Sequence, residues 1–532
     1  MKLFSNYSVA DKWRQSPART LLLFSLILFA IGLPLSRFLV SVSQFLLLFS
    51  WFIEGDFLNK WRRFKENKAI WIFLLLPLIH VCWLINTTDI HYALQDIKIK
   101  LPLVVFPLIL GTSNLLSRKE LQVVLASFVF AVFSGTMVTS AIITGIYAYP
   151  HQNVRETSIF ISHIRFGLMI VFSLVLLVYF MASAIQSKNK RSVYWLALLF
   201  AWFLFFLIVL QSFTSWIIIF ILAFILFLIY YKRIVNRNLR LGIAAVLCIL
   251  FVSVIGLIGK VTHDFYFKEN PRFSELPTHT PHGNSYTNDT LSRDKENGHY
   301  VEVLICVDEL SQTWPKLSHI PFRGTDANGY PVSITMIRYL ASKGLPKDED
   351  GLLKLDPEDI QMIEKGYASC VYRSHFSPYV RIYELLWELD RYFTSGDANG
   401  KSTAQRLEFT KTAVHIISGN FWFGVGTGDL CASYTRAYAD IHSQLKKEYQ
   451  LRAHNQYLTF FVTFGLFGFI MALFSMFGPA WIAGNRNNYL LVSFLFIVFI
   501  SMLNEDTLET QAGVSFYIFF YSLFLFSEKT KR

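Results

Sequence analysis

The chain has 532 residues, 53% of them hydrophobic and only 16% charged, with 51 phenylalanines. That balance is too apolar and too aromatic for an ordinary water-soluble protein and makes a membrane its natural solvent. The formal charge of +12 does not indicate a nucleic-acid surface, because the basic residues fall in short clusters between apolar runs rather than along one stripe.

In chain order, Lys12, Arg14 and Arg19 precede a first apolar run near Thr20, and further runs follow at once. This pattern suits a retained first helix rather than a cleaved signal peptide. Hydropathy and breakers predict spans near 20–35, 38–53, 69–86, 101–116, 121–147, 165–185, 193–210, 213–231 and 241–259, then 456–482, 488–503 and 512–527. The expectation is an all-α polytopic membrane protein with about twelve transmembrane helices. Pro34, Pro77, Pro102 and Pro107 sit within or beside spans, where neighbouring helices can satisfy the freed carbonyls.

Alternate connections are basic: Lys60, Arg62, Arg63, Lys65 and Lys68; Arg118 and Lys119; Lys188, Lys190 and Arg191; Lys232, Arg233, Arg237 and Arg240; then Lys529, Lys531 and Arg532. The intervening connections, such as 211–215 and 504–511, contain no lysine or arginine. The positive-inside rule puts the basic set and both termini in the cytoplasm. The chain then divides into a membrane domain over 1–259 with about nine spans, an extracytoplasmic insertion over 260–455, and a membrane domain over 456–532 with about three.

Composition turns polar at His263, and the insertion carries the helix start Asp356-Pro357-Glu358-Asp359 and an amphipathic stretch from Tyr379 to Phe393, so it is expected to be mainly helical. Cys82 and Cys248 fall in apolar runs, while Cys306, Cys370 and Cys431 fall in the insertion, where one disulfide and three free thiols are both compatible with the spacing.

Chemistry-bearing residues concentrate between Ser402 and Gly468. Ser402 and Gln405 form a capping-box pattern at the start of a helix that carries Arg406. Gly424-Val425-Gly426-Thr427-Gly428-Asp429 lacks both the lysine of a phosphate loop and a preceding strand, so it reads as a tight turn, with backbone amides that could still face a phosphate.

His454 and Asn455 immediately precede an apolar run; a helix start there attracts anions, which suits a general base beside a pyrophosphate, although a lone interfacial histidine is more often structural. Arg165, in His163-Ile164-Arg165-Phe166-Gly167, is an arginine on the side where positive charge is scarce; it either snorkels or grips a phosphate with its paired donors. Glu505 and Asp506 lie in a short acidic loop and can orient a sugar hydroxyl, pair with Arg165 or Arg406, or stay solvated. No carboxylate spacing specifies a metal, so neither metal nor cofactor is expected.

The run from Ile417-Ser418-Gly419-Asn420-Phe421-Trp422-Phe423-Gly424 to Asp429, with His454-Asn455-Gln456-Tyr457-Leu458 and Gly465-Leu466-Phe467-Gly468, resembles the signature of O-antigen ligases and Wzy-type polymerases. The insertion, with Glu296-Asn297-Gly298, Arg338-Tyr339-Leu340 and Lys343-Gly344-Leu345-Pro346-Lys347-Asp348, is similar to the form found in Bacteroidota members. The likeness covers the second half of the chain well and the first half mainly by hydropathy.

It implies a GT-C-like fold in the bacterial inner membrane. It further implies transfer of a glycan from undecaprenyl pyrophosphate to lipid A-core on the periplasmic side, without nucleotide sugar or metal, and with the insertion presenting the acceptor. By motif match His454 would activate the acceptor hydroxyl and Arg406 and Arg165 would hold the pyrophosphate. Asn455, Gly426, Gly428, Asp429, Glu505 and Asp506 would support them. Polymerases and protein O-oligosaccharyltransferases share this chemistry. A transporter of lipid-linked glycan would instead need charges deep within spans and internal repeats, neither of which is clear in the sequence.

Overall fold

The computed structural model describes residues 16–150, 154–234, 236–268, 270–374, 378–484 and 488–527. Lys12, Arg14, Lys529, Lys531 and Arg532, the charges expected to hold the termini in the cytoplasm, lie outside the described residues. The chain forms two compact units, Met1–Val235 with Ala398–Arg532, and Asn236–Asp397.

The first unit begins with a helical hairpin, α1 (Pro17–Leu35) and α2 (Arg37–Glu54). Ser36 takes an extended conformation between them, and its hydroxyl accepts the Leu39 N–H. A short basic helix, α3 (Phe57–Glu66), leads to α4 (Lys68–Cys82), which continues as a 3-10 turn to Asn86. Next come α5 (Ile90–Lys100) and α6 (Pro102–Thr112), separated at Leu101 because Pro102 has no N–H to continue the helical ladder. Then follow α7 (Arg118–Ile143), α8 (His163–Gln186), α9 (Lys190–Val209) and α10 (Phe213–Tyr230). A capping box of Ser117 and Glu120 starts α7, and Arg19 of α1 forks onto the same Glu120 at 2.9 and 2.7 Å.

The second unit opens with α11 (Arg237–Tyr266), 30 residues long and almost entirely exposed within the structure. Beyond it lie a two-residue hairpin, β1 (Lys295–Glu296) with β2 (His299–Tyr300), and five helices: α12 (Val307–Leu317), α13 (Val332–Ser342), α14 (Glu349–Leu353), α15 (Pro357–Glu364) and α16 (Pro378–Ser395). Leu310, Trp314, Met336, Tyr339, Leu340 and Ile363 form its core. The start of α15 is a full capping box, Asp356 with Asp359 and Pro357 at the first position, so the expected helix signal acts as one. Buried Glu296 is gripped by Arg338 and accepts from the Tyr383 hydroxyl at 3.1 Å.

The chain then returns to the first unit with α17 (Ser402–Gly419), α18 (Leu430–Asp440), α19 (Gln456–Ile482), α20 (Tyr489–Ser501) and α21 (Gln511–Leu525). The chain is an all-α polytopic membrane protein: among the described residues, nine helices are long and apolar enough to cross a membrane by length and composition. The other three expected spans form the shorter helices α6, α20 and α21, of 11, 13 and 15 residues. Fifteen residues rise about 22 Å, short of the roughly 30 Å hydrocarbon core. Helix α21 is buried continuously from Gly513 to Leu525, so it is the centre of the bundle rather than a lipid-facing span. All five cysteines are free thiols, which resolves the open pairing of Cys306, Cys370 and Cys431.

Candidate active site

The site is assembled at the start of α19 and the loop between α20 and α21. Asn455 caps α19: its side-chain oxygen accepts the N–H groups of Tyr457 (3.0 Å) and Leu458 (3.1 Å), and its amide donates to the Leu503 carbonyl (2.9 Å). That cap holds the preceding His454 in a left-handed conformation, φ +46°, unusual for a residue with a side chain. The imidazole packs on Phe409 of α17 and turns its Nδ1 toward Asp506 Oδ1, 3.5 Å away.

Asp506 is almost fully buried, and Arg452 contacts its other oxygen. Burial raises the Asp506 carboxyl, but the hydrogen bond and charge of His454 and the charge of Arg452 outweigh it and hold the group down at about 2. Its neighbour Glu505 goes the other way: burial and the Asp506 charge push it up, against the opposing pull of Arg165, His454 and Arg406. Two adjacent carboxyls are therefore shifted in opposite directions, Asp506 downward and Glu505 upward.

Arg406, on α17, places Nη2 4.0 Å from Glu505 Oε1. Arg165 lies in the first turn of α8 with its Nε buried and without a hydrogen-bond partner, beside a small cavity lined by Leu168, Met169, Val498, Ala512 and Phe516. Gly167 fixes that turn closely against the start of α10, since a Cβ there would lie 2.4 Å from Ser215 Oγ. The structure thus brings His454, Glu505, Asp506, Arg406 and Arg165 into one electrostatic group, drawn from four separate stretches of chain.

Gly426, Gly428 and Asp429 lie elsewhere. Gly426 has φ +92°, and an added Cβ would meet the Asn86 carbonyl oxygen at 2.0 Å; at Gly428 it would meet the Asp89 carbonyl oxygen at 2.1 Å. The N–H groups of Val425, Gly426 and Gly428 donate to Val462 O (3.0 Å), Thr463 O (3.0 Å) and Thr87 Oγ1 (3.1 Å). These three amides are committed to protein acceptors in this structure. The Asp429 carboxylate accepts from Thr88 N, Thr88 Oγ1 and Asp89 N at 2.8, 2.7 and 3.0 Å.

Helix α19 breaks at Gly465, where φ is +61°, and the glycine turn lies in the break with Leu466 N donating to Phe421 O at 2.8 Å. The turn locks α19 to the segment that joins α4 to α5.

A buried ionic group was not foreseen. His80 Nδ1 lies 2.8 Å from Asp96 Oδ2; Lys100 Nζ lies 2.5 Å from Asp96 Oδ1 and 3.0 Å from Glu509 Oε2; Arg452 Nη1 lies 3.6 Å from Glu509 Oε2. Gln456 adds an amide donor to Glu509 Oε1 at 2.9 Å. Buried charges within the bundle are therefore present, contrary to the sequence reading. Arg452 could have been singled out by the argument applied to Arg165, an arginine where positive charge is scarce. Asp96 and Lys100 carry only an i, i+4 pattern, which on sequence reads as a solvated helix face.

Among the described residues, His454, Glu505 and Asp506 could also hold a metal ion, with ligand atoms all within 4.8 Å of one another. The flanking Arg452 and Arg406 already supply positive charge to the two carboxylates.

Residues 365–473 match the family model described as O-antigen ligase (Wzy_C). Comparison with curated proteins gives no match. The matched segment contains Arg406, the glycine turn and His454, while Arg165, Lys100 and the 504–510 loop fall outside it.

Proposed function

We propose that this chain, which belongs to the O-antigen ligase and Wzy-type family by its domain over residues 365–473, is a metal-independent glycosyltransferase. It would move a glycan from undecaprenyl pyrophosphate to lipid A-core. Family members are glycosyltransferase-like enzymes that act on lipid-linked glycans and acceptors in general. The observation that carries the finer reading is the convergence of a histidine backed by an ionised carboxylate, 3.5 Å apart, with two arginines around Glu505.

In this reading the Nδ1–H of His454 faces Asp506, which leaves Nε2 as the proton acceptor. Nε2 takes the proton of the acceptor hydroxyl as its oxygen attacks the anomeric carbon. The bond from that carbon to the pyrophosphate oxygen breaks, and the electron pair leaves with undecaprenyl pyrophosphate. Arg406 and Arg165 hold the leaving group and match the negative charge that grows on it. The unmatched Arg165 Nε supports this, since a buried guanidinium donor without a partner suits an anionic ligand. One displacement of this kind inverts the anomeric centre. The family resemblance implies a GT-C-like bundle in the inner membrane, and the charge distribution of the connections supports a site on the periplasmic side with both termini cytoplasmic.

The test is transfer by purified protein from a lipid-linked glycan, with and without EDTA, offered lipid A-core or more lipid-linked glycan, read by gel and mass spectrometry. Product on lipid A-core that survives EDTA is expected. Lengthened lipid-linked glycan alone would make the protein a polymerase. Loss of product with EDTA, restored by a divalent cation, would assign the His454, Glu505 and Asp506 trio to a metal.

A further inference from the structure

Lys100 is 1% exposed and belongs to an alternating chain of basic and acidic side chains that ends at His454. The order runs His80, Asp96, Lys100, Glu509, Arg452, Asp506 and His454, with each neighbouring pair in contact or within 3.6 Å. A buried ion pair is weak as a source of stability, because the cost of removing both charges from water offsets most of their attraction. A well-packed apolar side chain would stabilise the bundle at least as well. The distinctive result of this arrangement is a fixed position for the 504–510 loop.

Glu509 accepts from Lys100 on one oxygen and from Gln456 on the other. Gln456 in turn accepts the Leu508 N–H at 2.7 Å and donates its own N–H to the Met502 carbonyl at 2.9 Å. Gln456 is two residues from His454, and Glu509 is three from Asp506, so both halves of the His454–Asp506 contact are tied to Glu509. We propose that Lys100 is a positioning residue for the transfer reaction, anchoring the acidic loop through Glu509 so that Asp506 meets His454. This inference rests on the function proposed above. Asp96 holds Lys100 at 2.5 Å, and His80 holds Asp96, so the anchor itself has one orientation.

The test compares full-length wild type, Lys100→Met, Lys100→Arg and the double variant Lys100→Met with Glu509→Gln, in lipid nanodiscs. Lys100→Met is expected to lower kcat roughly 10- to 100-fold, as loss of an orienting outer partner typically does. The donor KM should stay within about twofold, since no pyrophosphate contact is removed. Lys100→Arg should recover most of the rate by restoring the charge. Hydrogen–deuterium exchange across 502–510 should rise in Lys100→Met and fall back in Lys100→Arg.

If Lys100→Met fails to fold because its carboxylate partners are left unpaired, the double variant carries the test: it should fold and remain slow. Wild-type turnover in either folded variant, or unchanged exchange across the loop, overturns the proposal. Should wild type transfer no glycan at all, the proposed function fails, while the exchange data still decide whether Lys100 anchors the loop.

Discussion

Asp506→Asn keeps the shape of the side chain and removes its charge, and the structure sets the size of the effect. The carboxyl is held at about 2 against an ordinary 3.8, despite a burial that raises it, by His454 and Arg452. That difference corresponds to roughly 2 kcal/mol favouring the ionised form. In the proposed reaction His454 becomes an imidazolium in the transition state, and a full charge pair at 3.5 Å would then gain up to about 5 kcal/mol at an effective dielectric near 20. A loss of about 2 to 4 kcal/mol in transition-state stabilisation is therefore expected, roughly 30- to 1,000-fold in kcat. Single-turnover transfer at saturating donor isolates the chemical step from product release. The donor KM should change little. Because the folded-state value lies below the unfolded one, the stability contributed by Asp506 is complete above about pH 4 and lost as pH falls toward 2; thermal denaturation of Asp506→Asn should lack that acid limb. A variant that turns over within about threefold of wild type would refute the argument that an ionised Asp506 orients the base.

Three other outcomes follow from the same geometry. The Glu505 carboxyl is raised by burial and by Asp506 while Arg165, His454 and Arg406 oppose the rise, and a pyrophosphate on those arginines would favour its neutral form further. Donor affinity in wild type should therefore weaken as pH rises through the Glu505 titration, and Glu505→Gln should flatten the profile; an unchanged slope in a donor-KM titration would count against it. Arg406→Lys keeps the charge but loses the fork, so a fall in kcat/KM of roughly 10- to 100-fold is expected, about 1.5 to 3 kcal/mol for charge-assisted bonds. Gly465→Ala would place a side chain at φ +61°, with its Cβ 2.4 Å from Phe423 N, and should lower stability by about 1 to 3 kcal/mol, read as a drop in Tm.

Much of this architecture is written in local patterns. The apolar runs become helices, Asp356-Pro357 starts one, and the residues ahead of Gln456 cap another through Asn455. Such features depend on neighbours a few residues away, which is why a single sequence reveals them. Span lengths were less legible. The span expected over 101–116 ends as a helix at Thr112, and α20 stops at Ser501, where the chain folds back so that the Met502 carbonyl accepts the Gln456 N–H. Hydropathy averages over windows and does not register such endings.

The glycine motif shows the same limit in a different form. From sequence, Gly426 and Gly428 announce a tight turn but not the surface it meets; the reason both lack a side chain is the Asn86 and Asp89 carbonyls on a segment some 340 positions earlier. Lys100 and Glu509, 409 positions apart, present the same problem in charge rather than shape. Each alone resembles an ordinary solvated residue, and their meaning exists only as a pair. Both long-range partners, Asn86 to Asp89 and Asp96 with Lys100, lie in the first half of the chain, where the family likeness rests mainly on hydropathy. That half supplies Arg165, the seat for the glycine turn and the proposed anchor for the acidic loop, so it takes part in building the candidate site.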